Sequence, residues 1–456
     1  MHVSAVIDTS TTEGLQAIAT GDGARAIAFH DAGAITLDKF QRHVHGLAAA
    51  LPPGRHAINL CENRYRFLVA FCAVALRGQT TLLPPSRAPA VIDDELQRHA
   101  ESYCIGDQAQ DPAPPRYWRI PDVLPQADGP PPMIHDDALV AIGFTSGSSG
   151  APQANPKTWR SFRTGTAQNL AALQDLWPEG ETPQLVVTVP PQHMYGMELS
   201  VLLPLLGGAA VHAGKPFFPH DIATALQQAA APRVLVTTPV HLRALVQAAA
   251  STPGIKLPPL AGIVSATAPL PQALASEAEA RFGCEVRELF GATETCVIAR
   301  RRTAQDAAWT LLPGVRMQPQ PDGTLVHADH LSTPVSLADL VEMQDDGRFL
   351  LRGRQSDLVE IAGKRASLGD LTRRLLAIPG VEDGVMFQLD ASTANGVRRT
   401  AALVVAPGVA EADILQALRE GVDAVFLPRP LRSVAALPRN AVGKLPREAL
   451  LDLLKG

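Results

Sequence analysis

From residue 138 onward the chain alternates short apolar runs with longer stretches in which apolar residues recur at helical spacing. Residues 185–189, 234–237 and 262–265 read as buried strands, and residues 197–206, 240–250 and 272–282 as the helices that follow them. Strand followed by helix, repeated, predicts βα units around a buried sheet. Earlier in the chain the pattern is weaker, with helices over 37–51 and 65–76 on either side of an extended run at 57–60. After residue 354 the texture changes to helices over 368–376, 411–420 and 447–454 with strands near 384–387 and 401–405. The expected fold class is α/β: a large N-terminal multi-sheet domain of βα units, residues 1–354, followed by a smaller α+β C-terminal domain, residues 355–456.

In such sheets ligands bind where loops leave the carboxyl ends of the strands. Four predicted strand exits are rich in small and hydroxyl residues: Phe144-Thr145-Ser146-Gly147-Ser148-Ser149-Gly150, Pro191-Gln192-His193-Met194-Tyr195-Gly196, Ser265-Ala266-Thr267-Ala268-Pro269 and Phe290-Gly291-Ala292-Thr293-Glu294. In the first, glycines let successive N–H groups turn inward, and Thr145, Ser146, Ser148 and Ser149 add donors without bulk, a composition that suits phosphate. Glu294 is the carboxylate of its segment, a hard oxygen ligand suited to Mg²⁺. A P-loop is excluded because Ala151-Pro152-Gln153 follows Gly150 where Gly-Lys-Ser/Thr is needed. A serine hydrolase elbow is excluded by the spacing of Gly147-Ser148-Ser149-Gly150. A further segment, Leu437-Pro438-Arg439-Asn440-Ala441-Val442-Gly443-Lys444-Leu445-Pro446-Arg447, lies near the C-terminus.

Taken in order, these segments resemble the adenylate-forming superfamily of acyl- and aryl-CoA synthetases, carrier-protein-loading acid ligases, peptide-synthetase adenylation domains and luciferases, along nearly the whole chain. The resemblance implies an ATP- and Mg²⁺-dependent enzyme that joins a small carboxylic acid to AMP and then to a thiol. By it, Thr145, Ser146, Gly147, Ser148, Ser149 and Gly150 hold the β- and γ-phosphates, and Ala266, Thr267, Ala268, Phe290, Gly291 and Ala292 line the adenine. Thr293 meets the α-phosphate, Glu294 holds the Mg²⁺, and Asp339 with Arg354 holds the ribose hydroxyls. Lys444, on a C-terminal domain that the resemblance makes mobile about a hinge at Ser356, reaches across to carboxylate and α-phosphate; Lys444, Glu294 and Thr293 are the implied catalytic residues.

The chain departs from the family pattern at several points. Pro152-Gln153-Ala154 stands where Pro-Lys-Gly is usual, which leaves open whether Lys157 replaces the missing cation. Ala266-Thr267 stands for Gly-Gly, Leu337-Ala338-Asp339 for Thr-Gly-Asp, and Phe290 for Tyr.

The implied acid pocket comprises His193, Met194, Tyr195, Gly196, Val240 and Val297, with His241 and Cys296 near them. Amino-acid-activating relatives place an aspartate at the Met194 position, so an ammonium would lack a partner here. Small and apolar lining with histidine nearby suits an aromatic acid such as a hydroxybenzoate; a medium- or long-chain fatty acid is the alternative. The acceptor is a phosphopantetheine thiol, of coenzyme A or of an acidic acyl carrier protein. Either would be drawn to Arg429, Arg432, Arg439 and Arg447 around Lys444. A non-catalytic binding module would have no need of Glu294, Asp339, Arg354 and Lys444 together.

Composition agrees with this picture. A chain of 456 residues exceeds one ordinary core, and a net charge of -5 argues against a general nucleic-acid binder. The five scattered cysteines suggest free thiols in a reducing compartment, and the start Met1-His2-Val3-Ser4-Ala5 has no signal-peptide character, so the cytoplasm is expected. The longest apolar runs, 68–76 and 199–211, are too short to span a bilayer, the second being broken by Pro204, Gly207 and Gly208. The Pro-rich stretch 112–132 reads as a surface connection.

Overall fold

The computed structural model describes residues 14–146, 152–251, 255–354, 358–361, 364–389, 399–440 and 443–455. The βα units fall on two sheets, in keeping with the multi-sheet class expected. In the nine-stranded sheet six central strands run parallel: Ala26–His30, Ala210–His212, Gln184–Val187, Arg233–Thr237, Gly262–Ser265 and Glu285–Ala292. Their near-continuous apolar sequences follow from burial on both faces. In the six-stranded sheet, Thr80–Leu83, His56–Asn59, Ser102–Gly106 and Tyr117–Arg119 extend in parallel from Leu139–Ser146. Leu139–Ser146 does not lead into a helix: it turns back as a hairpin with Pro152–Thr158, so the Ser/Gly segment caps a hairpin.

Helix Arg64–Leu76 packs against strands of both sheets and is buried from end to end except at Arg66 and Leu76. An all-round apolar surface dictates that place, since no face of it tolerates water. Asn63 caps its start by accepting from the Arg66 amide, and Asp107 accepts from the amides of Glu62 and Asn63. Arg64, 1% exposed, carries the one charge of the helix interior into the second sheet. Its guanidinium donates to the carbonyls of Val187 and Val189, each at 2.9 Å, and to Ser200 Oγ at 2.5 Å, while its amide donates to Ala213 O at 2.7 Å. Burial lowers its pKa to about 9, so it stays charged at neutral pH.

Several elements were not expected. Helices Pro89–Arg98, Trp159–Leu173 and Pro219–Gln228 have mixed polar sequences, and the strands Val315–Gln320, Gly323–Ala328 and Val335–Leu337 form a small, mostly half-buried sheet. The helix expected at 197–206 begins at Met194 and widens to a π turn over Glu198–Leu202 before resuming as Leu203–Leu206. Pro204 accounts for the widening, because it lacks an N–H and its ring would strike the carbonyl four residues back. The strand before the Phe290 segment runs on as Glu285–Ala292, so Phe290, Gly291 and Ala292 are strand residues rather than the strand exit expected.

Beyond residue 358 a separate core forms from Leu371, Leu375, Met386, Val404, Ile414 and Leu418. It lies among helices Leu368–Leu376 and Glu411–Gly421 and the three-stranded sheet Asp383–Gln388, Thr400–Val405 and Leu431–Ser433, the α+β arrangement expected. The expected hinge at Ser356 lies outside the described residues. Among the described residues no helix is long and apolar enough to cross a membrane.

Arg64→Met should destabilise the protein by about 3–5 kcal/mol, because it strands buried carbonyls and leaves no donor for them. Chemical denaturation should find a lower midpoint for it, with Arg64→Lys intermediate. An unchanged midpoint would contradict the cross-link between the sheets.

Candidate active site

Three of the four anticipated segments meet at Gly143, in the middle of strand Leu139–Ser146. A Cβ there would lie 2.7 Å from Thr293 Cγ2 and 3.2 Å from Met194 Cε, closer than side chains approach. Glycine at 143 thus lets the hairpin, the turn after Glu285–Ala292 and the start of helix Met194–Met197 close on one point. Thr145 pairs with Gln153 and Ser146 with Pro152 across the hairpin. Gly147, Ser148, Ser149 and Gly150 lie outside the described residues.

The fourth segment follows strand Gly262–Ser265. Ser265 Oγ is buried with no hydrogen-bond partner among the described residues, and Ala266 is buried beside it. Thr267 holds φ at +81°, a left-handed conformation that a β-branched residue adopts only under strain. The family's glycine at this position would adopt it freely.

The turn bearing Thr293 and Glu294 is fastened from behind by buried side chains. Lys157, 4% exposed, donates from Nζ to Glu294 O at 2.9 Å and also bonds Cys296. His330 Nε2 meets Thr295 O at 2.6 Å, and its Nδ1 meets Gln168 Oε1. Thr295 Oγ1 accepts from the Ala292 amide, and the Glu198 carboxylate accepts from the Val297 amide and from Asn169 Nδ2. Burial pushes the Glu198 carboxyl up to about 7, against the pull of the Val297 amide, Asn169 and Lys157. Lys157 therefore spends its charge on the turn that carries Glu294. Glu198, Asn169 and His330 were missed in the sequence; the one signal was a carboxylate at the edge of an apolar run.

Phe290 lies half-buried against Trp309 and Phe349, with ring centroids at 5.5 and 6.0 Å. Asp339 opens strand Asp339–Met343 and pairs in register with Arg354 at the end of Phe349–Arg354, so the two ribose candidates are cross-strand neighbours. Asp339 is buried, and Thr324 donates to its carbonyl. Among the described residues no three His, Cys, Asp or Glu side chains group as a metal site. A Mg²⁺ held at Glu294 would take its other oxygens from phosphates and water.

The acid-pocket candidates divide. His193 precedes helix Met194–Met197; burial, then the charges of Lys444, Arg87 and Lys215, lower its pKa to about 4, so it is neutral at physiological pH. Tyr195 turns away, donating from its hydroxyl to Val264 O at 3.0 Å inside the sheet. Gly196 lies within the same helix, and Val297 is buried where its amide meets Glu198. His241 Nδ1 bonds Thr188 Oγ1 at 2.9 Å and its ring meets Phe217.

The lysine loop closes the site from the C-terminal side. A Cβ on Gly443, whose φ is +80°, would sit 3.4 Å from Val240 Cγ2 and 4.0 Å from Ala268 Cβ. Lys444 itself is exposed, and its amide donates to Asn440 Oδ1 at 2.9 Å. The anticipated basic cluster is less uniform than its sequence suggests. Arg439 is internal, bidentate to Asp383 at 2.7 and 2.8 Å and bonded to Gly443 O, whereas Arg429 and Arg447 are exposed.

On the expectation that Glu294 is catalytic, Lys157→Met should reduce turnover by about tenfold or more through loosened positioning of its turn. Its kcat should fall by a larger factor than its KM for the acid rises. Equal kcat in the variant and the parent would show that the turn does not depend on this ammonium.

The family profile described as AMP-binding enzyme matches residues 81–325. A 4-coumarate–CoA ligase from Rhodobacter capsulatus is 33% identical over 326 residues, covering 68% of this chain and 78% of the relative. A probable 2-succinylbenzoate–CoA ligase from Mycobacterium tuberculosis is 27% identical over 349 residues, 70% of this chain and 86% of the relative. The fold is shared with ATP-bound MatB from Rhodopseudomonas palustris at a TM-score of 0.78 and 18% identity, covering 96% of this chain and 97% of the other. The order of the segments, their convergence at Gly143 and these likenesses agree, and the chain belongs to the AMP-binding enzyme family.

Proposed function

We propose that this chain is an ATP-dependent acid–thiol ligase whose acid is aromatic, with a hydroxybenzoate as the type of substrate. The observation that carries this reading is the seat of the lysine loop: Gly443 against Val240 and Ala268, with the Lys444 charge felt at His193. A cation carried on the residue after Gly443 would reach between the acid candidates and the adenine candidates, where a carboxylate must approach an α-phosphate. In the first step a carboxylate oxygen attacks the α-phosphorus and the bond to pyrophosphate breaks. In the second a thiolate sulfur attacks the acyl carbonyl and AMP departs with that carboxylate oxygen.

In this reading Lys444 offsets the charge that gathers in the first transition state, and Thr293 donates to the α-phosphate. Thr145 to Gly150 hold the departing pyrophosphate, and Asp339 with Arg354 fixes the ribose. Mg²⁺ at Glu294 would neutralise phosphate charge. The aromatic acid is supported by the names of the relatives, 4-coumarate and 2-succinylbenzoate ligases, and by Met194, Val240 and Val297 among the pocket candidates. Their names also favour coenzyme A as acceptor. The phosphopantetheine arm of a carrier protein offers the same thiol, and exposed Arg429 and Arg447 would attract either partner. Free cysteines, four of the five buried, fit a reducing compartment, and we assign the enzyme to the cytoplasm.

Acid-dependent ATP–pyrophosphate exchange tests the reading, run with benzoic, hydroxybenzoic, cinnamic and fatty acids and with amino acids as controls. Exchange should be strongest with an aromatic acid, and Lys444→Ala should lower it about 100-fold or more while the fold survives. Preference for a fatty acid would overturn the aromatic assignment. Unchanged exchange in Lys444→Ala would overturn the role of the lysine.

A further inference from the structure

We infer that Arg243 is a positioning residue that holds Lys444 in the orientation for adenylation, acting through Asp383; the inference rests on the ligase reading above. Arg243 lies on helix Pro239–Ser251, one turn after Val240, and so on the same face of that helix. Its Nη1 approaches Asp383 Oδ1 at 3.8 Å, and the two side chains are 23% and 15% exposed. Asp383 opens strand Asp383–Gln388 of the C-terminal core, and its carboxylate is already gripped in bidentate fashion by Arg439. Arg439 in turn donates from Nη1 to Gly443 O at 2.8 Å, next to Lys444. The loop is closed on itself as well, Gly443 N donating to Asn440 O and Asn440 N to Lys444 O.

These contacts make a line of charge from the N-terminal helix to the lysine. Within it the Asp383–Arg439 grip is short and bidentate, so it moves with the C-terminal core as one body. The Arg243–Asp383 contact is long and single. Burial lowers the pKa of Arg243, while Asp383 and Glu382 raise it and Arg439 lowers it, so the guanidinium sits in a mixed field near the core boundary. Breaking and remaking such a contact in each cycle is possible because a partly exposed ion pair is weak, enough to shift a two-state balance a few-fold and no more. The line therefore acts as a latch: made, it seats Gly443, the residue before Lys444, beside Val240 and Ala268; broken, it frees the C-terminal core to turn for the thiol step.

The test compares Arg243→Gln and Arg243→Lys with the parent enzyme in both half-reactions. Arg243→Gln should lower acid-dependent ATP–pyrophosphate exchange about 3- to 10-fold, through kcat rather than the KM for ATP or acid. Single-turnover transfer from preformed acyl-adenylate to coenzyme A should be unchanged or faster, and Arg243→Lys should recover part of the exchange. Unchanged exchange, or an equal fall in both half-reactions without recovery in Arg243→Lys, would overturn the latch. A donor–acceptor pair at Ser251→Cys and Glu420→Cys reads the domain distance independently of activity, and Arg243→Gln should broaden its distribution. Silence of the parent enzyme with every acid would refute the ligase reading, and the distance then judges the latch alone: identical distributions would overturn it.

Discussion

The guanidinium of Arg64 is the contact on which the arrangement of the molecule turns. A charge at 1% exposure is tolerable only where most of its donors are met, and here Nη1 meets Ser200 Oγ and Nη2 the carbonyls of Val187 and Val189, at and just past the end of strand Gln184–Val187, while Nε has no partner among the described residues. Those carbonyls belong to the place where the parallel ladder stops and the chain departs toward His193. The same interaction therefore joins two sheets and marks where one of them gives way to the site. The apolar helix that carries Arg64 supplies the bulk of the burial, and the arginine fixes how that helix is rotated and how far it is inserted.

A second buried polar network serves the chemistry as Arg64 serves the fold. Lys157, Glu198, His330 and Thr295 satisfy the backbone groups of the turn from Ala292 to Val297, leaving Thr293 and Glu294 at its tip. Satisfied networks of this kind are rigid, because each partner removed leaves a buried group without one. The lysine absent from position 153 is not restored by Lys157, whose ammonium faces the turn. Lys444 arrives on a separate core and is set by weaker contacts. In the proposed reading, rigid supports behind Thr293 and Glu294 and a releasable one at Lys444 suit a cycle with two orientations.

Much of the fold was legible because parallel strands buried on both faces announce themselves as apolar runs. Strand Gly262–Ser265 and helix Gln272–Phe282 fall where periodicity put them, as does helix Leu368–Leu376. The helix Trp159–Leu173 escaped because its buried positions include Gln168 and Asn169, which contribute hydrogen bonds rather than apolar pattern. The hairpin at Leu139–Ser146 was read as a strand exit because its return strand, Pro-Gln-Ala-Asn-Pro-Lys-Thr, has the composition of a loop. For the same reason the role of Lys157 stayed open in the sequence. Convergence at Gly143 was foreshadowed by the order of the segments, whereas the capture of Arg439 by Asp383 depends on residues 56 apart and leaves no local trace.

The central claim is that an acyl-adenylate forms between Thr293, Glu294 and Lys444. It is tested most directly by supplying the acid selected by exchange with both carboxylate oxygens labelled as ¹⁸O, and analysing the products by mass spectrometry. The account predicts one ¹⁸O in AMP and none in pyrophosphate, because the carboxylate oxygen bonds the α-phosphorus and leaves with it. Unlabelled AMP, or ADP with labelled phosphate, would contradict it.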